Sequence, residues 1–95
     1  MTRYKLSNEA KADLARIYWH GVKRFGAPQA DQYLDALIRR FDEISKMPYK
    51  YQAVEHIREG YRRSVCGVDT IYYRVENETT EIMRILGRQD VLESL

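Results

Sequence analysis

The chain has 95 residues, with 16 lysines and arginines against 14 aspartates and glutamates, for a formal net charge of +2. That length holds one small core, burying only about 60% of the unfolded chain's surface, so a single domain over residues 1–95 is expected. The charge balance excludes a polybasic nucleic-acid or membrane-surface binder, and no apolar run approaches the roughly 20 residues of a transmembrane helix.

Residues 3–6, Arg-Tyr-Lys-Leu, alternate charged and apolar side chains as a half-buried strand does. Ser7 follows as an N-cap, with Glu9 in the first turn near the positive end of the helix dipole. Ala10, Leu14, Ile17, Tyr18, Gly21, Val22 and Phe25 then recur at three- and four-residue steps, with Lys11, Asp13, Arg16, Lys23 and Arg24 between them. This predicts an amphipathic helix of about five turns. Gly26 ends it, and Pro28 suits the first turn of a second helix carrying Ala30, Tyr33, Leu34, Leu37, Ile38, Phe41 and Ile44, closed at Met47-Pro48. A link this short makes the two helices antiparallel neighbours.

After Pro48 the period changes. Residues 49–60 read as a loop with a short strand near 54–57, and 61–66, 70–76 and 80–86 read as three strands joined at 67–69 and 77–79. In the middle strand Ile71, Tyr73 and Val75 face one way and Thr70, Tyr72, Arg74 and Glu76 the other. The run Ile82-Met83-Arg84-Ile85-Leu86 is apolar on both faces, so this strand is interior, and Arg84 within it needs an open face or a partner. The expected fold class is α+β: an N-terminal strand, an antiparallel helical hairpin, then a C-terminal antiparallel meander, with the hairpin on one sheet face.

Catalytic chemistry has little to build on. His20, His56 and Cys66 are the only soft ligands and none has metal-site spacing, so neither a metal nor another cofactor is expected. Cys66 cannot form an internal disulfide, and with no signal-peptide core at the N-terminus a cytoplasmic location is expected. Ser64 and Cys66 lie on a strand with no turn to expose them as nucleophiles, and the five glycines are isolated. What stands out is tyrosine: 8 against 2 Phe and 1 Trp, five of them between positions 49 and 73, around Arg58, Arg62 and Arg63. Tyrosine beside arginine suits either a solvated strand face laced to Glu55, Glu59, Glu76 and Glu81, or a surface that clamps a partner. On the helices, Tyr18, Trp19, Val22 and Tyr33 spread beyond one narrow face, as core edge or as a groove.

Tyr4-Lys5-Leu6-Ser7 leading to Ala10, Asp13-Leu14 and Ile17 opens a pattern that runs over nearly the whole chain. It continues through Phe25-Gly26-Ala27-Pro28-Gln29-Ala30, then Tyr33, Leu34, Leu37 and Pro48. Gly60-Tyr61-Arg62-Arg63, Ile71-Tyr72-Tyr73-Arg74 and residues 82–90, Ile-Met-Arg-Ile-Leu-Gly-Arg-Gln-Asp, complete it. In order and spacing it resembles the ParE branch of the RelE/ParE toxins of bacterial toxin–antitoxin pairs. Similar proteins often end the first helix in Trp-Gly, where this chain has Phe25-Gly26. They often run the last strand into a His followed by Met-Asp, where Gly87 and Gln89-Asp90 stand here.

The resemblance implies one of two activities. RelE-like members cut mRNA on the ribosome with basic residues on the sheet and a C-terminal Tyr or His. The matching positions here are Tyr61, Arg63, Thr70, Gln89 and Leu95, of which only Arg63 is basic. ParE-like members instead bind DNA gyrase, without catalysis, and are neutralised by a ParD-type antitoxin that wraps a helix and an extended tail around them. On that reading no direct sequence-specific nucleic-acid contact and no membrane partner are expected. Antitoxin contacts are expected at Trp19, Val22, Tyr33, Arg62 and Arg63, and gyrase contacts at Arg58, Tyr61, Arg62, Arg63, Arg88 and Asp90. A non-toxic module that merely docks an antitoxin remains the third possibility.

Overall fold

The structure is a computed structural model and describes residues 4–87. Strand β1 (Tyr4–Leu6) leads into helix α1 (Asn8–Phe25) through Ser7, whose side chain accepts the Ala10 N–H at 2.9 Å as an N-cap. Gly26 alone separates α1 from α2 (Ala27–Lys46). At φ +91° it takes a conformation that a Cβ would strain, sends its N–H to the Val22 carbonyl, and turns the chain back on itself. Gly21 then lies against Ala30, where an added Cβ would sit 3.4 Å from the Ala30 Cβ, so small residues set the close approach of the two helices.

Strands β2 (Gln52–Ala53), β3 (Arg62–Cys66), β4 (Asp69–Glu76) and β5 (Thr79–Gly87) complete a five-stranded sheet in the order β1-β5-β4-β3-β2. The pair β1–β5 is parallel and the others are antiparallel, so β5 and β4 are interior as the apolar pattern requires. The short strand expected near 54–57 is not there. The pairing lies just before it at Gln52–Ala53, and Val54 to Arg58 form a turn in which the Ile57 and Arg58 N–H groups donate to the Val54 carbonyl. Val54 still donates its N–H to the Tyr61 carbonyl at 2.8 Å, and its side chain is buried on the far face of the sheet.

Both faces of the sheet are occupied. Against the helices, Ala10, Leu37, Phe41 and Ile44 pack on Cys66, Ile71, Tyr73, Ile82 and Ile85. On the far face, Val54, Tyr61, Tyr72 and Leu86 form a smaller cluster with Ile57 and Met83 at its edge. A bulge in β5 reconciles the two. Tyr72 is opposite Arg84 and Tyr73 opposite Ile82, so Met83 is the extra residue, and Ile82 and Ile85 reach the same side although they are three apart. That is why the run 82–86 reads as apolar on both faces.

The parallel pairing of β1 covers β5 only from Thr80 to Ile82. Beyond that, α1 takes over the edge. The Ser7 N–H donates to the Ile82 carbonyl and its hydroxyl to the Met83 carbonyl, at 3.0 and 2.8 Å. Asp13, only 5% exposed, accepts the Ile85 N–H at 2.9 Å, and Arg16 donates to the Ile85 carbonyl at 3.1 Å. The same Asp13 carboxylate receives Arg84 through Nε and Nη2 at 2.8 and 3.1 Å, the partner that this strand arginine required. Removing the carboxylate takes the closest partner from a largely buried guanidinium and the acceptor from an edge amide. Asp13→Ala should therefore lower the unfolding free energy by about 3 kcal/mol in urea titration, and adding Arg84→Met should recover part of the loss.

The β4–β5 connection carries positive φ at both central residues, Asn77 (51°) and Glu78 (63°). This is the twist-matched two-residue hairpin turn, in which asparagine is at ease and glutamate is not. Glu78→Gly should raise stability by roughly 0.5–1 kcal/mol in the same titration, because the left-handed strain of Glu78 outweighs the entropy that glycine adds to the unfolded chain.

Candidate functional site

Two surfaces, at opposite ends of α2, collect the residues singled out in the sequence. The first is a cleft of about 930 Å³ between α1, α2, the β3–β4 turn and the end of β5. Its walls include Ile17, Gly21, Phe25, Tyr33, Leu34 and Val68. Trp19, also on α1, lies outside the lining and is 60% exposed, with its ring edge-on at 5.1 Å between centroids to that of Tyr18, which does line the cleft. Tyr18 is held in turn by donating to Asp31 at 2.7 Å. Phe25 is also largely exposed, beneath the Arg24 guanidinium. Val22 is half-buried on the same helix.

Tyr33 closes one end of the cleft. Its hydroxyl lies 2.9 Å from the Cys66 carbonyl and 2.8 Å from Oδ2 of Asp69, and donates to that pair of acceptors. Its ring covers Gly67, where a Cβ would come within 2.5 Å of ring carbon Cε1. Burial, reinforced by Asp69, pushes the Tyr33 phenol well above its ordinary value of 10.0. Burial does the same to Tyr73, whose hydroxyl donates to the Pro48 carbonyl. Both folded pKa values lie above the unfolded one. Their stabilisation is therefore complete below pH 10 and is lost as pH rises beyond it. Urea midpoints should fall steeply above pH 10, and the pair Tyr33→Phe and Tyr73→Phe should flatten that fall.

The second surface spans residues 49–63. Arg62 is opposite Tyr73 and Arg63 opposite Tyr72, so the two guanidinium groups leave opposite faces of the sheet. Arg62 lies over the Tyr49 ring at 5.1 Å and donates through Nη1 to the carbonyls of Tyr51 and Tyr49, at 2.7 and 3.3 Å. Arg63 donates through Nε and Nη2 to Oε1 of Gln52. Arg58 lies over the Tyr61 ring at 5.4 Å and Lys50 over Tyr51 at 5.6 Å. The expected lacing to glutamates is present in part, on the later strands: Arg74 takes Glu76 and Glu81, while Glu55 accepts the Gly60 N–H. Among the described residues, Arg62 and Arg63 form no ion pair and are oriented by neutral acceptors alone.

One expected contact residue needs correction. Tyr61 is only 5% exposed, because Val54, Tyr72 and Leu86 close over its ring, so it supports the surface instead of presenting itself. The five residues expected to meet an antitoxin also divide. Tyr33 lines the cleft, and Trp19 and Val22 lie on α1 outside its lining. Arg62 and Arg63 lie toward the C-terminal end of α2, roughly 10–13 Å along β3 from Cys66, which the Tyr33 hydroxyl holds. Arg88 and Asp90 lie outside the described residues. Two features of the cleft escaped the sequence reading, namely Val68 at its rim and the Tyr33–Gly67 contact. Only the glycine at the turn hinted at them.

Nucleophilic or metal chemistry is not assembled at either surface. The Cys66 thiol is buried, and burial raises its pKa. Ser64 is buried and accepts from Arg40. No group of three or more His, Cys, Asp or Glu side chains suited to a metal occurs among the described residues. No helix among them is long and apolar enough to cross a membrane.

The family model of the ParE toxin of the type II toxin–antitoxin system parDE matches residues 4–92. The chain belongs to the ParE toxin family. It is 38% identical over 96 residues to Toxin ParE1 of Mycobacterium tuberculosis, covering 99% of this chain and 98% of that one. It is also 38% identical over 86 residues to Toxin ParE1 of Caulobacter vibrioides, covering 90% and 88%. Among solved structures, a chain of the chromosomal ParDE system from P. aeruginosa superposes with a TM-score of 0.80 at 21% identity, covering 92% of this chain and 96% of that one. The strand, helical hairpin and meander are thus the fold of this family, and an antitoxin is the partner that a type II toxin carries with it.

Proposed function

We propose that the chain inhibits DNA gyrase in the cytoplasm by protein–protein binding, without catalysis, and that a ParD-type antitoxin neutralises it. The observation that carries this reading is the pair Arg62 and Arg63. Each guanidinium is held in a fixed pose by carbonyl or amide oxygens, and its charge is not cancelled by a carboxylate. A preoriented, uncancelled guanidinium loses little conformational freedom when an acidic partner surface arrives, and carboxylate pairs with arginine are among the stronger charge-assisted contacts. Arg58 extends the same surface, and Arg88 and Asp90 are its proposed continuation beyond the described residues.

The RNase alternative finds less support. Of the sheet positions that such chemistry would use, Tyr61 is buried, Thr70 offers only a hydroxyl, and Arg63 alone is basic. Antitoxin binding at Trp19, Val22 and Tyr33, with a tail reaching Arg62 and Arg63, would cover both surfaces. About four extended residues bridge the roughly 13 Å between them. Neutralisation then follows from competition for the arginines.

Purified chain added to gyrase should block supercoiling and accumulate cleaved DNA at micromolar concentration. Replacing Arg62 and Arg63 by glutamate should weaken inhibition at least roughly tenfold, as for loss of interface anchors. The single Arg63→Glu, at a guanidinium that meets the exposed Gln52 side chain, should do so with little change in melting temperature. Normal supercoiling with no trapped cleavage complex overturns the reading. If mRNA is instead cut on ribosomes and cutting is lost with Arg63→Ala, the RelE activity replaces it.

A further inference from the structure

We infer that the β3–β4 turn is a specificity element of the antitoxin site, with Val68 as the side chain the antitoxin packs against and Tyr33 as the residue that positions it. This rests on the antitoxin reading of the cleft. The turn has positive φ at Gly67 (62°) and not at Val68, the pattern of a tight hairpin whose first central residue must be glycine. The second central position makes no such demand, and polar residues are the usual occupants of an exposed turn. Here it is a β-branched apolar residue, 83% exposed, at the rim of an apolar cleft.

The turn that carries it is pinned. The Tyr33 ring fills the space over Gly67, and its hydroxyl bridges the Cys66 carbonyl and the Asp69 carboxylate on either side of the turn. A fixed apolar knob gives up little entropy on binding, so its contact counts fully toward affinity and toward choice between partners. The occupant that fits is an amphipathic antitoxin helix. Its apolar face would enter between Phe25, Leu34 and Val68, which line the cleft, and its carboxylates would meet Lys23 and Arg24 in the last turn of α1 beside Phe25. From Arg16 to Phe25, α1 carries three cations and no carboxylate, and neither Lys23 nor Arg24 has an ion-pair partner among the described residues. The nearby acids are already engaged, Asp31 by the Tyr18 hydroxyl and Asp69 by that of Tyr33.

The test is calorimetric titration of the full chain with its cognate antitoxin. Val68→Ala should weaken binding roughly tenfold without moving the melting temperature, and Val68→Asp more, whereas Val65→Ala, exposed on the same hairpin away from the cleft, should change it less than about twofold. Tyr33→Phe should weaken binding by an intermediate factor. In the double variant that factor should vanish, because a positioning residue has nothing left to position once Val68 is gone. Binding within about twofold of the unsubstituted chain for both Val68 variants overturns the proposal, as those factors lie below any anchor effect. Multiplying effects of Tyr33→Phe and Val68→Ala overturn the positioning role. No binding by the unsubstituted chain overturns the antitoxin reading itself, a result separable from either.

Discussion

Strand β5 outruns its neighbour β1, and the way its bare edge is covered organises the molecule. A sheet edge left with buried, unpaired amides and carbonyls costs more than most side-chain contacts return. Here the first two turns of α1 lie along that edge, with Ser7, Asp13 and Arg16 serving as substitutes for a longer β1. Asp13 matters most, since one carboxylate holds the Ile85 amide and the Arg84 guanidinium together. It fixes the angle at which α1 meets the sheet. Because Gly26 allows only a one-residue reversal, it fixes α2 as well.

From that placement the two surfaces follow. The N-terminal half of α2 comes down on the β3–β4 turn, where Tyr33 ties it to Cys66 and Asp69, and a cleft opens between the hairpin and the turn. The C-terminal end delivers Tyr49 and Tyr51 to β3, where their carbonyls catch Arg62. Helix α2 is thus a rigid spacer between an apolar, aromatic recess and a cationic, tyrosine-lined edge. The far face of the sheet needs its own small core to remain folded, and the 54–61 segment supplies it by turning Val54 and Tyr61 inward.

The ParE family to which the chain belongs pairs toxin with antitoxin, and the geometry suits a partner that must reach both ends of α2. Under the proposed function, an inhibitor whose charged edge is covered by the tail of a ligand anchored elsewhere is switched off by competition, with no need to unfold. The same rigidity that spaces the two surfaces makes that coverage depend on the length of the covering segment.

Much of the fold was legible in the sequence. The helices show in their three- and four-residue apolar steps, the reversal in Gly26 and Pro28, and the meander in alternating strands punctuated by tight turns. The residues of the cationic edge were legible too, because Arg58, Arg62 and Arg63 cluster with tyrosines in one segment. By itself the sequence determined the order and kind of the elements, the apolar face of each helix, and the need of Arg84 for a partner. Only the tertiary structure decided who that partner is, that Tyr61 is buried, that Met83 bulges, and that Tyr33 meets Gly67. Periodicity is a local property, fixed by residues a few positions apart. Arg84 and Asp13 lie 71 residues apart, and Tyr33 and Asp69 lie 36 apart. No local pattern records pairings at that range, and they exist only once the helices have packed on the sheet.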